Sequence, residues 1–438
     1  MKLTFYGGAG DVTGANYLLE EGNLQLIVDC GLHQGSKYAE DLNYTPFAYE
    51  PKLIEFVFIT HSHIDHIGRL PKLYRDGFRG TVYATDATAD LMAVALPDNM
   101  SHILHEAERD GHEPLFEQRD LDGIMKLVRG VDYGEKIPLR EGVTATLHDA
   151  GHVLGSAIVE IQWHDKKIFF SGDLGNPPTP LLRPTEFVHD ANYVVMESAY
   201  GDRVHEAREE RREKLAQIIQ ETIARKGTLM IPSFALERTQ DLLFELNELR
   251  QQNKISSVPI FLDSPLAIKL TGVYEKYFGK NSFDFPGIEF TATPDESKRI
   301  NDVPAPKIII AGSGMSQGGR ILHHERRYLS DPVSTILFVG YQVDGSLGRR
   351  IQRGDQMVTI FGETVAVRCH VETVSGYSAH ADQPALMHWV KVANSNGSLK
   401  KVFVVQGEEH TAKTLANLIR EELDVSALAP QPGEVVEL

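Results

Sequence analysis

Short apolar runs recur along the first two hundred or so residues, and each ends in a polar or glycine-rich turn. From Leu3 to Gly31 the pattern reads strand, turn, strand. It closes on Leu26-Ile27-Val28-Asp29-Cys30-Gly31, a buried strand with a carboxylate at its exit. Phe56–Ile59, Thr81–Ala84, Thr144–Leu147, Ala157–Ile161, Lys167–Phe170 and Val194–Met196 predict further strands, being rich in β-branched and aromatic residues. A polar stretch from about Asp86 to Lys126 is expected to be largely helical. From Glu206 the period changes. Arg208 to Lys226 has helical spacing with a charged, solvated outer face and stops at Gly227; Glu237 to Asn253 is helical again. Apolar runs at Leu229–Pro232, Pro259–Leu262, Lys307–Ile310 and Thr335–Val339 alternate with these helices, which predicts a parallel α/β sheet. Lys401–Val405, followed by a helix over Thr411–Leu423, is expected to return to the first domain.

Several of the turns carry metal-binding side chains. Thr60-His61-Ser62-His63-Ile64-Asp65-His66 directly follows Phe56–Ile59, so its donors sit where a buried strand gives way to a helix. Two histidines one residue apart can point the same way from a turn, while Asp65 and His66 reach a neighbouring position. One loop can therefore seed two metal sites. The same grammar recurs at Asp149-Ala150-Gly151-His152, Ser171-Gly172-Asp173-Leu174-Gly175, Met196-Glu197-Ser198 and Ser378-Ala379-His380-Ala381-Asp382. Singly, a carboxylate after a strand is equally a helix cap. Together they form a ligand set.

This constellation resembles the metallo-β-lactamase fold, and within it the β-CASP branch of nucleic-acid-processing nucleases, which includes RNase J and the eukaryotic pre-mRNA 3′-end endonuclease. The resemblance covers nearly the whole chain. It rests on Asp29, the His61–His66 cluster, His152 and Asp173, then on Glu197 in Glu197-Ser198-Ala199-Tyr200-Gly201-Asp202-Arg203 and on His380. It implies an α/β protein: a four-layer αββα hydrolase domain from 1–201 and 372–438, with an α/β cap inserted over 202–371. It further implies that His61, His63 and His152 hold one zinc ion, that Asp65 and His66 hold a second, and that Asp173 bridges both. Asp29 would orient a histidine from behind. Asp65, Glu197 and His380 are the implied catalytic residues, His380 protonating the leaving oxygen and Glu197 setting its protonation.

The implied reaction is hydrolysis of single-stranded RNA by a metal-bridging hydroxide, endonucleolytic with room for 5′-exonuclease action. A DNA or small phosphodiester substrate, or a weakly active RNA-processing partner, is the alternative. Substrate contacts are expected from Ser313, Gly314 and Arg320 of one glycine-rich loop, and from Arg349, Ser378 and His380. Gly345–Arg350 reads equally as a tight turn with solvated arginines.

One segment departs from the resemblance. Most RNA-cleaving members carry a histidine where Val405-Gln406-Gly407-Glu408 places Gln406. Three readings follow: the second zinc site is weaker or differently occupied, His410 substitutes, or water completes the shell. The first is favoured, because Asp65, His66 and Asp173 all remain.

Charge narrows the picture. With 61 acidic against 44 basic residues the net charge is -17, which argues against broad charge-driven binding to nucleic acid. Any RNA contact must come from a local cationic groove. Two cysteines, Cys30 and Cys369, leave no disulfide framework and no thiolate zinc site. No apolar run approaches the ~20 residues that span a bilayer, and the N-terminus lacks a signal-peptide pattern. A cytoplasmic protein without a membrane partner is expected, and a homodimer is allowed for.

Overall fold

The computed structural model describes every residue except Pro177, 206–208, Tyr341, Asp344, Ser375 and Gly376, and only the backbone at Glu209 and Glu210. The chain forms two compact units. One comprises Met1–Val204 with His380–Leu438, the other His205–Ala379.

The first unit holds two seven-stranded sheets. In one, Lys2–Gly7, Asn16–Glu21 and Leu24–Val28 run antiparallel, then Phe56–Phe58, Thr81–Thr85 and Val128–Val131 continue in parallel. In the other, Val143–Asp149, Ala157–Trp163 and Lys166–Phe170 are antiparallel, and Tyr193–Glu197 and Lys401–Val405 add parallel strands. Alternation along each strand divides its side chains between two cores, because successive residues point to opposite faces of a sheet. Leu26, Val28, Phe58, Val159, Phe170, Val195, Phe403 and Val405 share one core, so the two sheets pack face to face.

The opposite faces are covered by helices. Ile27, Val57 and Val82 pack against Leu70, Leu73, Met92 and Leu96 of the helices Leu70–Arg75 and Asp86–Asp110. Ile158, Phe169, Val194 and Val404 pack against Leu386, Trp389, Leu415 and Ile419 of the helices Gln383–Ala393 and Glu409–Leu423. The result is four layers, αββα.

The second unit is a six-stranded parallel sheet. Its spatial order is Ile288–Phe290, Ile260–Asp263, Lys307–Ala311, Thr228–Pro232, Thr335–Phe338 and His370–Thr373. Helix Glu209–Ala224 leads into the first of these strands in chain order, and helices Arg238–Gln251 and Pro265–Phe278 connect later ones. Arg208, the expected first residue of the first helix, lies outside the described residues. The polar stretch 86–126 is two helices, Asp86–Asp110 and Gln118–Met125. The first ends at Gly111, whose φ of 76° only glycine adopts freely.

Candidate metal centre

Every strand that points a donor into the centre ends beside it. Phe56–Phe58 leads to Thr60 and His61, and His63 caps the one-turn helix Ile64–Ile67 that carries Asp65 and His66. Strand Val143–Asp149 leads to His152, Lys166–Phe170 to Asp173, and Tyr193–Glu197 ends on Glu197 itself. The turn is tight enough that a Cβ on Gly31 would stand 1.4 Å from the Asp65 carbonyl oxygen, so glycine is required there. His380 lies in an isolated bridge with Gly175, two residues past Asp173, and Ala381 N donates to Leu174 O at 2.8 Å.

One donor from each of His61, His63, His152 and Asp173 lies within 4.8 Å of all the others. His63 Nδ1 is 3.0 Å from His61 Nε2 and 3.3 Å from His152 Nε2. Asp173 Oδ2 is 3.4 Å from His61 Nε2 and 3.5 Å from His152 Nε2. These are four of the six edges of a tetrahedron, and edges of this length suit a centre about 2 Å from each corner, the bond length of zinc to imidazole or carboxylate. Three imidazole nitrogens facing one another suit a shared cation. Burial supplies the right protonation, pushing His61, His63 and His152 down, so that they are neutral at physiological pH. The donor set fits a tetrahedral zinc.

The adjoining set is differently made. His66 Nε2 is 3.5 Å from Asp173 Oδ1 and 3.7 Å from Asp65 Oδ2. Among the described residues these three do not close into a group as tight as the first. Gln406 completes the corner: its side-chain nitrogen lies 2.8 Å from His66 Nε2 and 3.1 Å from Asp173 Oδ1, and the residue is only 3% exposed. Gln406 reaches this place from a left-handed backbone conformation, φ 49°. Turned over, the same amide presents its carbonyl oxygen, a weaker zinc ligand than imidazole. His410, the substitute ligand in one of the three readings, is exposed in the first turn of helix Glu409–Leu423 and belongs to neither donor group among the described residues. Gln406 itself stands at the corner.

Behind these donors sits Asp29, fully buried. Its Oδ2 lies 2.7 Å from His66 Nδ1 and accepts from Thr60 Oγ1 at 2.8 Å, while Oδ1 accepts from Thr60 N at 2.8 Å. Thr60 Oγ1 also lies 3.1 Å from His61 Nδ1. A proton on each Nδ1 leaves Nε2 of both rings aimed at the centre. Thr60 escaped the sequence reading, although it immediately precedes the histidine cluster. Although burial opposes a charge on His66, the carboxylates of Asp173, Asp29 and Asp65 raise its pKa to about 10.

Asp173, Glu197 and His380 form a second tight group. His380 Nδ1 is 3.2 Å from Glu197 Oε2 and 3.9 Å from Asp173 Oδ2. Leu174 N and Ala199 N donate to the Glu197 carboxylate, fixing its plane. Burial disfavours a charged His380, yet Glu197 and then Asp173 outweigh it and raise the imidazole to about 10.

The expected substrate contacts Ser313, Gly314, Arg320, Arg349 and Ser378 all lie in the second unit. Arg320 Nη1 donates to Asp263 Oδ1 and Thr291 O, both at 2.7 Å, and Nη2 to Ala292 O, so its guanidinium also braces the sheet rim. Ser313 Oγ accepts from Gln317 N and Gly318 N, shaping its own loop. Arg349 donates to Gln352 Oε1 at 2.9 Å, and Ser378 is half-buried.

Three family descriptions match the chain in succession. Residues 18–192 match a metallo-beta-lactamase superfamily domain, 239–351 a Beta-Casp domain, and 364–430 a Zn-dependent metallo-hydrolase RNA specificity domain. Ribonuclease TTHA0252 of Thermus thermophilus is 37% identical over 96% of this chain and 96% of its own length. Transcription termination factor FttA of Thermococcus kodakarensis is 32% identical over 100% of this chain and 71% of its own. A crystal structure of a protein of unknown function from Enterococcus faecalis V583 covers 100% of this chain and 99% of that one. Its TM-score is 0.58 at 12% identity, a likeness of fold alone. Among the described residues no helix is long and apolar enough to cross a membrane.

Proposed function

From the premise that this chain belongs to the β-CASP branch of the metallo-β-lactamase superfamily, a family of metal-dependent hydrolases, we propose that it is a zinc-dependent ribonuclease acting on single-stranded RNA. The observation that carries this reading is Asp173, whose two oxygens face two donor sets, His61 and His152 on one side and His66 on the other. His61, His63 and His152 would hold the first zinc, Asp65 and His66 the second, and Asp173 both. Gln406 makes the second site the weaker. Zinc supplies Lewis acidity toward a phosphoryl oxygen and lowers the pKa of a water.

The protein's own residues do the rest. Asp29 and Thr60 hold His61 and His66 in register. Glu197 holds His380 at Nδ1, so the proton delivered to the departing oxygen leaves from Nε2. In-line displacement requires that oxygen to lie opposite the attacked face, the side on which His380 would act. Ser313, Gly314, Arg349 and Ser378 would contact the RNA from the second unit. The Zn-dependent metallo-hydrolase RNA specificity match over 364–430 supports RNA over DNA.

The test is metal analysis of protein purified without chelator, paired with cleavage of end-labelled single-stranded RNA and DNA of one sequence. Bound zinc with RNA cut in preference is the expected result. Metal-free protein that still cuts RNA, or DNA cut in preference, would overturn the reading.

A further inference from the structure

The carboxyl ends of four neighbouring strands in the second unit form one rim. In spatial order it runs Ser264 after Ile260–Asp263, Gly312-Ser313-Gly314 after Lys307–Ala311, Ser233-Phe234 after Thr228–Pro232, and Gly340 after Thr335–Phe338. Ligands of parallel α/β sheets bind at such carboxyl ends. The residues named are glycine or serine but one, and Val339, which intervenes before Gly340, is buried. Among the described residues at these positions Phe234 alone presents a large exposed side chain, at 41%.

Packing does not account for an open ring here, yet the ring is carefully seated. A Cβ on Gly314 would lie 2.7 Å from Phe234 Cδ2, 2.8 Å from Cε2 and 3.0 Å from Cγ, so any side chain at 314 would displace it. A Cβ on Gly340 would come within 3.7 Å of Cε2. Gln342 Nε2 donates to both glycine carbonyls, to Gly314 O at 2.9 Å and Gly340 O at 3.2 Å, tying the two loops together beside the ring. Thr239 Oγ1 donates to Phe234 O at 2.6 Å and fixes the backbone that carries it. The platform is preorganised, so a ligand stacking on it costs little ordering.

We propose that Phe234 is a stacking platform for a nucleobase of single-stranded RNA, held on the second unit by π contact rather than by charge. This rests on the ribonuclease reading for the identity of its ligand. An aromatic face accepts any base, and each stacked base contributes affinity without adding cationic residues. That suits a chain whose net charge is -17.

The experiment compares steady-state cleavage of single-stranded RNA with hydrolysis of bis(p-nitrophenyl) phosphate, a diester that probes the metal centre without bases. In Phe234→Ala, KM for RNA is expected to rise ~10-fold while kcat and hydrolysis of the small diester stay unchanged. A Phe234→Trp variant, combined with Asp65→Ala so that RNA is not consumed, should lose fluorescence on adding RNA. The two native tryptophans, Trp163 and Trp389, are buried and provide a steady background. An unchanged KM in Phe234→Ala, or unquenched fluorescence with RNA bound, would sink the proposal. So would a change of oligomeric state in Phe234→Ala at constant KM, which would make the ring a protein contact. If the native chain hydrolyses the small diester but spares RNA, the ribonuclease reading fails, and the quenching still decides the stacking separately.

Discussion

His61 and His66 leave the same short segment and meet opposite surroundings. The centre around His61 is made of other imidazoles, all driven neutral by burial, with one carboxylate closing the tetrahedron. Around His66 stand three carboxylates and a neutral amide, and its pKa is held up at about 10. Identity of residue type therefore says little about how a donor behaves. The field of its neighbours decides whether a metal meets a ready lone pair or must first displace a proton and an amide hydrogen bond. One half of the centre is complete in donors, and the other depends on Gln406.

Breaking what the halves share gives the largest effect. Asp173→Ala should strip zinc from both and lower RNA cleavage ~10³-fold or more, the scale of lost electrostatic stabilisation at a reacting centre. A variant that kept one full equivalent of zinc by mass spectrometry would show that the halves do not depend on a common carboxylate. Asp29→Ala should act on one half more than the other. Affinity for the weaker metal is expected to fall ~10–100-fold, as for other residues that orient a ligand from behind. Titration with a chromophoric chelator reads the two dissociation steps, and an equal loss at both would end the contrast. Gln406→His should raise affinity for that same weaker metal ~10-fold and draw the two steps together. No rise would mean that the amide is not what weakens the site. The smallest effect belongs to His410→Ala, whose metal content and activity should match the unaltered chain.

Legibility followed range along the chain. The His61–His66 donors could be read because they are consecutive, and their strand announces itself as Phe56–Ile59. Strands Val128–Val131 and Ile137–Arg140 were not read. They lie at sheet edges with half their residues exposed, and each is only four residues long, too short for an alternation to stand out. Pro138 further obscures the second. Gln406 was found as a departure at a known place, but its contact with His66 and Asp173 is a matter of folding distant segments together. The structural partners of Arg320 were not legible for the same reason. Nothing near it in sequence discloses Asp263, whose carboxylate takes the guanidinium, His324 and Ser297 together. Thr60 could have been weighted, since a hydroxyl beside a ligand cluster is well placed to relay a carboxylate.

The bridge between Gly175 and His380 bears on how the protein is made. His61, His63, His152 and Asp173 are all synthesised before any residue of the second unit. His380 and Gln406 arrive only after that unit is complete. The residues proposed to hold the first zinc are thus all in place along the chain before the proposed acid and the last proposed corner of the second site, which follow only after the length of an entire unit.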